Sequence, residues 1–423
     1  MDTQPSEQAL RGEAVRRRLQ GERVCDICQA LHRSPRWLNK WWREFQRHPD
    51  TDFTDHSRAP LRSPRRLTPE VEQVIVATRQ ALEAGATPAT RYGLLGAPAL
   101  RGPLQRLQVE PLPSAATIQR VLAHRGLTHP VGAGHDAAYY PWPVAWEINA
   151  IQATDIITKH LRGGGVIQNF HTIDLASHAV CLTEHADKSG ASARAHLLRA
   201  WAELGRPFLQ QFDNESTFGG GPVRPRVLGQ VVRLCLFCQV EPLFIPVYEA
   251  KRNYQIETFH SLWVAAFWSR QEFASLPQVR CEVPLFLRWY RTAYRPPALE
   301  GRTPAQMRRG FVPLRLTRYL TPLIPAGRLP LTAGRIHVVR KVDGQGRVML
   351  FNEPWLVGKR WMGEYVRATI NTAQERVSFW YQADAQGDWR CLKALRFRLG
   401  ETVHRALPVF RRQSERCLER FPG

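Results

Sequence analysis

At residue 148 the spacing of the apolar residues changes from helical periodicity to strand-like alternation, and this change limits the folds available to the chain. Two runs rich in β-branched residues, INAIQATDII and GVIQNFHTIDLASHAVCLTEHA, follow one another, with Gly163 to Gly165 as the turn between the first two strands. The pattern then predicts a helix from about Ser189 to Leu204, the strand PFLQQF, a helix near Val227 to Cys238, the strand VEPLFIPV, and a long helix from near Asn253. The sequence thus predicts three antiparallel strands followed by alternating helices and strands.

Three acidic residues occupy related positions in this order of elements, which is that of an α/β ribonuclease H-like core with a mixed five-stranded sheet. Asp155 lies within the first strand, Asp213 ends the fourth, and Glu257 lies in the first turn of the helix after the fifth. Carboxylates are hard oxygen donors, and three that converge can hold two Mg²⁺ or Mn²⁺ ions about 4 Å apart. We therefore expect these residues to be metal ligands in a core that spans residues 146–310.

Four segments, QATDI, QFDNES, RNYQIETFHSLW and WYRTAYRPPALEGRTPAQM, follow one another in this region. In this order they resemble the landmarks of the retroviral-integrase-type (DDE) catalytic core found in bacterial insertion-sequence transposases. The closing stretch of that family is matched here by Arg295 to Pro297 and by Thr303 and Pro304. The resemblance implies a DDE-type polynucleotidyl transferase in which the same three acids are catalytic, and in which a 3′ end is cut and joined to target DNA.

The third acid has two candidates. Enzymes of this family are often described by 35 residues between the second Asp and the Glu; that spacing selects Glu249, whereas 43 residues separate Asp213 from Glu257. Glu249 lies in PVYEAKR, a predicted turn, while Glu257 is followed by Phe259 and His260 at helical spacing. A Gly/Pro-rich loop at residues 219–226 would absorb the difference in length, so we favour Glu257.

The chain carries 59 Lys and Arg against 37 Asp and Glu, a formal net charge of +22. Such an excess favours a polyanionic partner through counterion release, and we expect double-stranded DNA, as both element ends and target. Four residues beside the third acid are expected to touch phosphate or orient the scissile strand, or else to form a solvated helix end: Lys251, Arg252, Asn253 and His260.

Residues 1–48 contain three predicted helices separated by short breaks. Ser34 followed by Pro35 is a typical helix start, since the hydroxyl caps free N–H groups. In the third helix a stripe of Leu and aromatic residues from Leu38 to Phe45 would face a core. The pattern resembles the N-terminal helix-turn-helix of bacterial transposases, with a small helical bundle as the alternative. Its outward DNA-contacting residues would be Arg36, Asn39, Lys40 and Arg43.

A basic linker is predicted at residues 49–66, followed by a second helix-turn-helix-like domain at residues 67–128. In that domain Ser114 is expected to cap a short basic helix. A Gly- and Pro-rich connector at residues 129–145 would lead into the core. The candidate DNA contacts of this second domain are Thr117, Gln119 and Arg120.

Residues 311–400 alternate short strands and turns, such as Asp343-Gly344, and this spacing predicts a small all-β barrel. The region resembles the SH3-like barrel of integrases and related transposases. A basic tail at residues 401–423 would follow. The basic residues of the barrel suit DNA or form a solvated face: Arg335, Arg340, Lys341, Arg347, Lys359 and Arg360.

The chain has no apolar run long enough to cross a membrane, and its eight thinly spread cysteines suit a reducing cytoplasm. We therefore expect a multidomain cytoplasmic DNA transposase that assembles as a homo-oligomer on DNA. Two alternatives remain at this stage: a DNA-binding regulator with an inactive core, and a metal-dependent nuclease without joining activity.

Overall fold

The computed structural model describes residues 6–55, 67–88, 90–128, 144–219, 226–247, 249, 253–384 and 387–410. The chain forms two compact units, Met1–Thr68 and Pro69–Gly423. Within the described ranges, no helix combines the length and the apolar character that a membrane span requires.

The first unit consists of three helices, as the sequence predicts. Ser34 caps the third helix by accepting a hydrogen bond from the Trp37 amide, and Pro35 occupies its first turn. Leu38 and Trp41 are buried, whereas the rest of the predicted stripe is only partly covered. The helices are α1 (Glu7–Leu19), α2 (Val24–Ala30) and α3 (Pro35–Arg47).

The start of the predicted linker packs on this first unit. Arg11 of α1 donates hydrogen bonds to the Phe53 carbonyl at 2.9 Å and to the Asp55 carboxylate at 2.7 Å. Gln8 donates to the Asp52 carbonyl at 2.6 Å. Residues 52–55 are therefore held against α1, and the remainder of the linker, residues 56–66, lies outside the described residues.

A second helical block opens the larger unit. Ser114 caps its third helix, as expected, by accepting from the Thr117 amide. Tyr92, in the loop after the first helix, is 3% exposed and packs edge-on against Phe286 at a centroid distance of 5.6 Å. Arg270 donates to the carbonyls of Glu83 and Gly93. This block, α4 (Pro69–Ala84), α5 (Ala97–Arg106) and α6 (Ala115–His124), is thus fastened to the helices of the core.

The core contains the predicted mixed sheet. Its first three strands are antiparallel, and the fourth and fifth run parallel to the first, in the order β3-β2-β1-β4-β5. This order confirms the ribonuclease H-like fold. The strands are β1 (Ile151–His160), β2 (Val166–Asp174), β3 (Val180–His185), β4 (Leu209–Phe212) and β5 (Glu241–Phe244).

Helices cover both faces of this sheet, which buries the apolar side chains of its strands. One face packs on the seventh and ninth helices, and the other on the tenth and eleventh. The helices of the core are α7 (Gly190–Glu203), α8 (Ser216–Gly219), α9 (Gln230–Phe237), α10 (Tyr254–Ala266), α11 (Leu276–Thr292) and α12 (Pro304–Met307).

The C-terminal strands do not form the separate SH3-like barrel expected at residues 311–400. Four of them extend the core sheet, which has nine strands in the order β11-β10-β9-β6-β5-β4-β1-β2-β3, and the other two form a hairpin. The added strand next to β5 is parallel to it. The strands are β6 (Arg335–Lys341), β7 (Arg347–Leu350), β8 (Glu353–Leu356), β9 (Tyr365–Asn371), β10 (Arg376–Tyr381) and β11 (Arg390–Arg396).

A buried charge cluster joins β5 to β6. Both oxygens of Glu241 accept from Arg335 at 2.8 Å, and His337 lies at 2.8 Å from the same carboxylate. Burial acts to raise the pKa of Glu241, but the bonds to His337 and Arg335 outweigh it and the pKa is lowered. Apolar residues of β6 also share one core with α9. These contacts explain why the C-terminal strands join the core sheet.

We expect Glu241→Ala to lower the free energy of unfolding by about 3 kcal/mol, because it removes the carboxylate that neutralises a buried guanidinium. The measurement is urea unfolding of the full chain. The matched control is Glu272→Ala, whose pair with Arg162 has side chains that are 79% and 78% exposed, so a change below about 1 kcal/mol is expected. Equal effects of the two substitutions would contradict the role assigned to the cluster.

Candidate functional site

The parallel pairing of β1 with β4 places two acids side by side. Thr154 of β1 pairs with Phe212 of β4, so the residues that follow them, Asp155 within β1 and Asp213 just beyond β4, lie at the same level of the sheet. Glu257 lies in the first turn of α10 and faces the same cleft. The cleft, about 620 Å³ in volume, is lined by all three predicted acids together with Asn253 and His260.

Among the described residues of this cleft, Asp155, Glu257 and His260 form a group that could hold a metal ion. One ligand atom from each lies within 4.8 Å of the others. His260 Nδ1 is 4.0 Å from Asp155 Oδ2 and 3.9 Å from Glu257 Oε2. The sequence suggested that His260 touches phosphate, orients the scissile strand or belongs to a solvated helix end; in the fold its ring lies close to both carboxylates. The Glu-x-x-His spacing could have indicated this, because residues three apart share one helix face.

The electrostatics of the cleft favour a cation. Burial, and then the charge of Asp213, raises the pKa of Asp155 to about 7, although the Ile156 amide donates to its carboxylate at 2.7 Å. Burial also raises the pKa of Asp213 and that of Glu257. For His260, burial lowers the pKa to about 4, so the imidazole is neutral at pH 7. Carboxylates crowded away from water bind a divalent ion readily.

Glu249, the other candidate for the third acid, lies elsewhere. It accepts a hydrogen bond from the Tyr365 hydroxyl of β9. It is not among the described residues that line the cleft, whereas Glu257 is. The position of Glu257 therefore agrees with its helical context in the sequence.

A hydrogen bond between two buried side chains fixes the backbone beside Glu257. Gln211 of β4 donates to Asn253 Oδ1 at 2.6 Å, and Asn253, which precedes α10, is only 3% exposed. This bond ties the start of α10 to β4, so the oxygen of Asn253 is engaged within the protein. Lys251 and Arg252, also expected to contact DNA, lie outside the described residues.

Arg340 of β6 supports the residue that follows Asp213. Its guanidinium donates to Asn214 Oδ1 at 2.7 Å and to the Ile245 carbonyl at 2.9 Å. Burial lowers the pKa of Arg340 to about 10. This role was not predicted from the sequence, in which Arg340 belongs to the basic residues of an expected separate barrel.

The donor set of the cleft fits a divalent cation. Asp155, Asp213 and Glu257 offer the oxygens that Mg²⁺ and Mn²⁺ take, and His260 adds a nitrogen donor. Burial raises the pKa of each of the three carboxyl groups, and a bound cation would offset the cost of ionising them.

The predicted DNA-contacting residues of the first unit lie on α3. Arg36, Lys40 and Arg43 are exposed, whereas Asn39 is partly buried and accepts from Arg18 of α1 at 2.7 Å. Lys40 Nζ lies 3.5 Å from the Asp55 carboxylate.

On α6 the predicted contacts occupy the first two turns. Gln119 and Arg120 are exposed, and Thr117 is partly buried with its hydroxyl 3.0 Å from that of Ser114. Arg120 also reaches the Thr117 hydroxyl at 3.3 Å.

Residues 5–50 match the family of homeodomain-like domains. The match confirms the predicted N-terminal helix-turn-helix domain, a class of three-helix domain whose third helix enters the major groove of DNA. No curated protein sequence matches the chain.

The solved structures that are similar to parts of the chain include three of retroviral integrases. The catalytic core domain of HTLV-2 integrase in complex with magnesium, in its dimeric form, is 16% identical over 39% of this chain and 99% of its own, with a TM-score of 0.29. The simian T-cell lymphotropic virus intasome in complex with PP2A regulatory subunit B56 gamma is 15% identical over 71% and 96%, with a TM-score of 0.34. The catalytic core domain of BIV integrase is 13% identical over 38% and 93%, with a TM-score of 0.29.

The raised pKa of Asp155 predicts a pH-dependent stability in the absence of metal. Between pH 5 and 7 the folded chain holds a proton on Asp155 that the unfolded chain releases, so its free energy of unfolding falls as pH rises. Asp155→Asn has no carboxyl group at this position, so its free energy of unfolding should not fall in this way. We expect the difference in free energy of unfolding, variant minus wild type, to increase by roughly 2–3 kcal/mol from pH 5 to pH 8. Urea unfolding in EDTA at each pH measures the difference.

Asp187→Asn is the control for this measurement. Hydrogen bonds from Ser189 and Ser192 lower the pKa of Asp187 to about 2, so the carboxylate is ionised in both folded and unfolded chains above pH 5. Its effect on stability should therefore not vary between pH 5 and pH 8. A pH-independent effect of Asp155→Asn as well would show that its proton is not held as described.

Proposed function

We propose that this chain is a DNA transposase of the integrase type, which binds element-end DNA, cuts a 3′ end and joins it to target DNA. The observation that supports this most directly is the convergence of Asp155, Asp213 and Glu257 in one cleft of a ribonuclease H-like core. The same chain carries a homeodomain-like domain and a net charge of +22, both suited to DNA.

In this proposal Asp155, Asp213 and Glu257 hold two divalent cations, Mg²⁺ or Mn²⁺. When bound, such ions activate the attacking water or 3′-hydroxyl and stabilise the leaving oxygen during in-line displacement at phosphorus. The side chains of the chain therefore need no covalent bond to DNA. Their task is to hold the three carboxylates at fixed positions.

The hydrogen bonds around the cleft serve that task. The Gln211–Asn253 bond keeps the first turn of α10, and with it Glu257, beside β4. Arg340 and Asn214 fix the backbone that follows Asp213. Preorganised ligands need no rearrangement during the reaction, which lowers its barrier.

DNA recognition would use the exposed residues of α3, with α6 as a second contact. Arg36, Lys40 and Arg43 are exposed on α3. The Lys40–Asp55 pair is exposed to solvent, and such pairs contribute little to stability, so Lys40 could exchange Asp55 for a phosphate. Asn39 would first have to release Arg18. Thr117, Gln119 and Arg120 would serve the same purpose on α6, and the protein would assemble as a homo-oligomer on the DNA.

A strand-transfer assay with a labelled element end and Mg²⁺ or Mn²⁺ tests the catalytic proposal. We expect Asp155→Ala and Glu257→Ala to reduce joining by about a thousandfold or more, because each removes a metal ligand. Glu249→Ala, the matched control, should retain joining within about threefold, because this carboxylate contacts Tyr365 outside the cleft.

Each of the other outcomes would assign this chain a different ligand or a different function. Loss of joining in Glu249→Ala alone would make Glu249 the third ligand. Cleavage without joining by the wild type would identify a nuclease, and DNA binding with neither reaction would identify a regulator with an inactive core.

A titration of DNA affinity against salt tests the recognition helix. If Arg43 contacts a phosphate, Arg43→Ala should weaken binding by about 1 kcal/mol or more and reduce the slope of log K against log salt by about one. The control is Arg16→Ala on α1, whose side chain is 66% exposed and paired with Glu13, and which should leave the slope unchanged. Equal changes in both slopes would indicate general charge attraction without docking of α3.

A further inference from the structure

We propose that His260 supplies a nitrogen ligand to the metal centre, so that the ion between Asp155 and Glu257 is Mn²⁺ or a similar transition metal in preference to Mg²⁺. This inference deepens the proposed function and rests on it. It assigns His260 a task different from the phosphate contact that the sequence suggests.

The geometry of the three side chains fits a shared ion. Ligand atoms 2.1–2.2 Å from one metal are separated by about 3 Å when adjacent and about 4.3 Å when opposite. His260 Nδ1 lies 4.0 Å from Asp155 Oδ2 and 3.9 Å from Glu257 Oε2, between these two separations, so small side-chain movements would bring all three atoms onto one ion. The same distances are too long for hydrogen bonds, so direct contact between the side chains does not account for the arrangement.

His260 is buried and lacks a hydrogen-bond partner among the described residues. Its side chain is 8% exposed, and its Nε2 atom is buried without a partner. Buried polar side chains are normally hydrogen-bonded, so a buried imidazole that faces two carboxylates without bonding either needs an explanation. A cation bound by Nδ1 and the two carboxylates accounts for the position of Nδ1; it does not engage Nε2, which would carry the ring proton.

The ring of His260 is held in place by its neighbours. His171 of β2 pairs with Asp155 of β1, and its ring lies 4.9 Å from that of His260 at 68°. His171 packs in turn against Phe259 and Trp263 of α10. The strand that carries Asp155 and the helix that carries Glu257 and His260 are thereby locked together, which preorganises the donors.

The nitrogen donor determines which metal the site prefers. Mg²⁺ is a hard ion that takes oxygen ligands and keeps several waters, whereas imidazole suits later divalent metals. Mn²⁺ accepts both oxygen and nitrogen ligands, so His260 should add to its affinity and add little to that of Mg²⁺.

Pulsed EPR of the full chain loaded with Mn²⁺, without DNA, tests the inference. Wild type should show a ¹⁴N coupling from a coordinated imidazole, and His260→Ala should lose it. Calorimetric titration should show Mn²⁺ affinity falling about tenfold in the variant, with less than about threefold change for Mg²⁺. The matched control is His160→Ala, an exposed histidine at the end of the same strand as Asp155, which should keep both the coupling and the affinity.

His260→Asn, which keeps a polar group of similar size, replaces the alanine variant if that one fails to fold, and it should also lose the imidazole coupling. Absence of the coupling in wild type, or its survival in both variants, would overturn the inference. The proposed function is tested independently of this inference. If wild type shows the ¹⁴N coupling but joins no DNA with any metal ion, the chain is not a transposase. If it joins DNA but shows no coupling, only the role of His260 is wrong.

Discussion

The parallel register of β1 with β4 sets two carboxylates side by side in one cleft, and side chains from distant parts of the chain support that arrangement. Asp155 and Asp213 are adjacent because Thr154 pairs with Phe212, which sets both acids at the same level at one edge of the sheet. Burial and mutual repulsion make the ionised pair unfavourable, and the raised pKa of Asp155 records this. Without a metal ion, this repulsion lowers the stability of the folded chain. A bound divalent cation would remove the repulsion. The rigidity of the sheet is therefore a condition of the proposed chemistry.

The supports of this cleft come from distant parts of the chain. Gln211 and Asn253 connect a strand to the helix that follows the next strand, and Arg340 reaches Asn214 across 126 positions of sequence. The Glu241 cluster holds β6 against β5, which allows Arg340 to occupy its position. The C-terminal strands thus belong to the site as well as to the sheet. Assigning them to an independent domain would separate the acids from one of their supports.

The sequence predicts the parts of this structure that depend on local pattern. Ser34 and Ser114 predict the starts of two helices, because a serine hydroxyl accepts a hydrogen bond from a free amide of the first turn. Asp155 and Asp213 can be picked out from their positions in or directly after predicted strands. Strand alternation, however, identifies a strand without identifying its neighbour, so the pairing of β6 with β5 was not predictable from residues 335–341 alone. The same limit applies to His260, whose role depends on the direction of its ring in a folded cleft. A histidine can contact a phosphate or bind a metal ion, so the residue type at position 260 does not distinguish the two roles.

The attachment of the second helical block to the core has a geometric consequence. Tyr92 is inserted among the aromatic rings of the core, and Arg270 holds the backbone at Glu83 and Gly93. The block therefore cannot swing freely relative to the acids, in contrast to a module joined by a flexible tether. If α6 reads base pairs, the number of nucleotides between the sequence it reads and the phosphate that reacts is fixed by the fold. The position of the cut would then depend on the contacts of Tyr92 and Arg270, which set the distance between α6 and the acids.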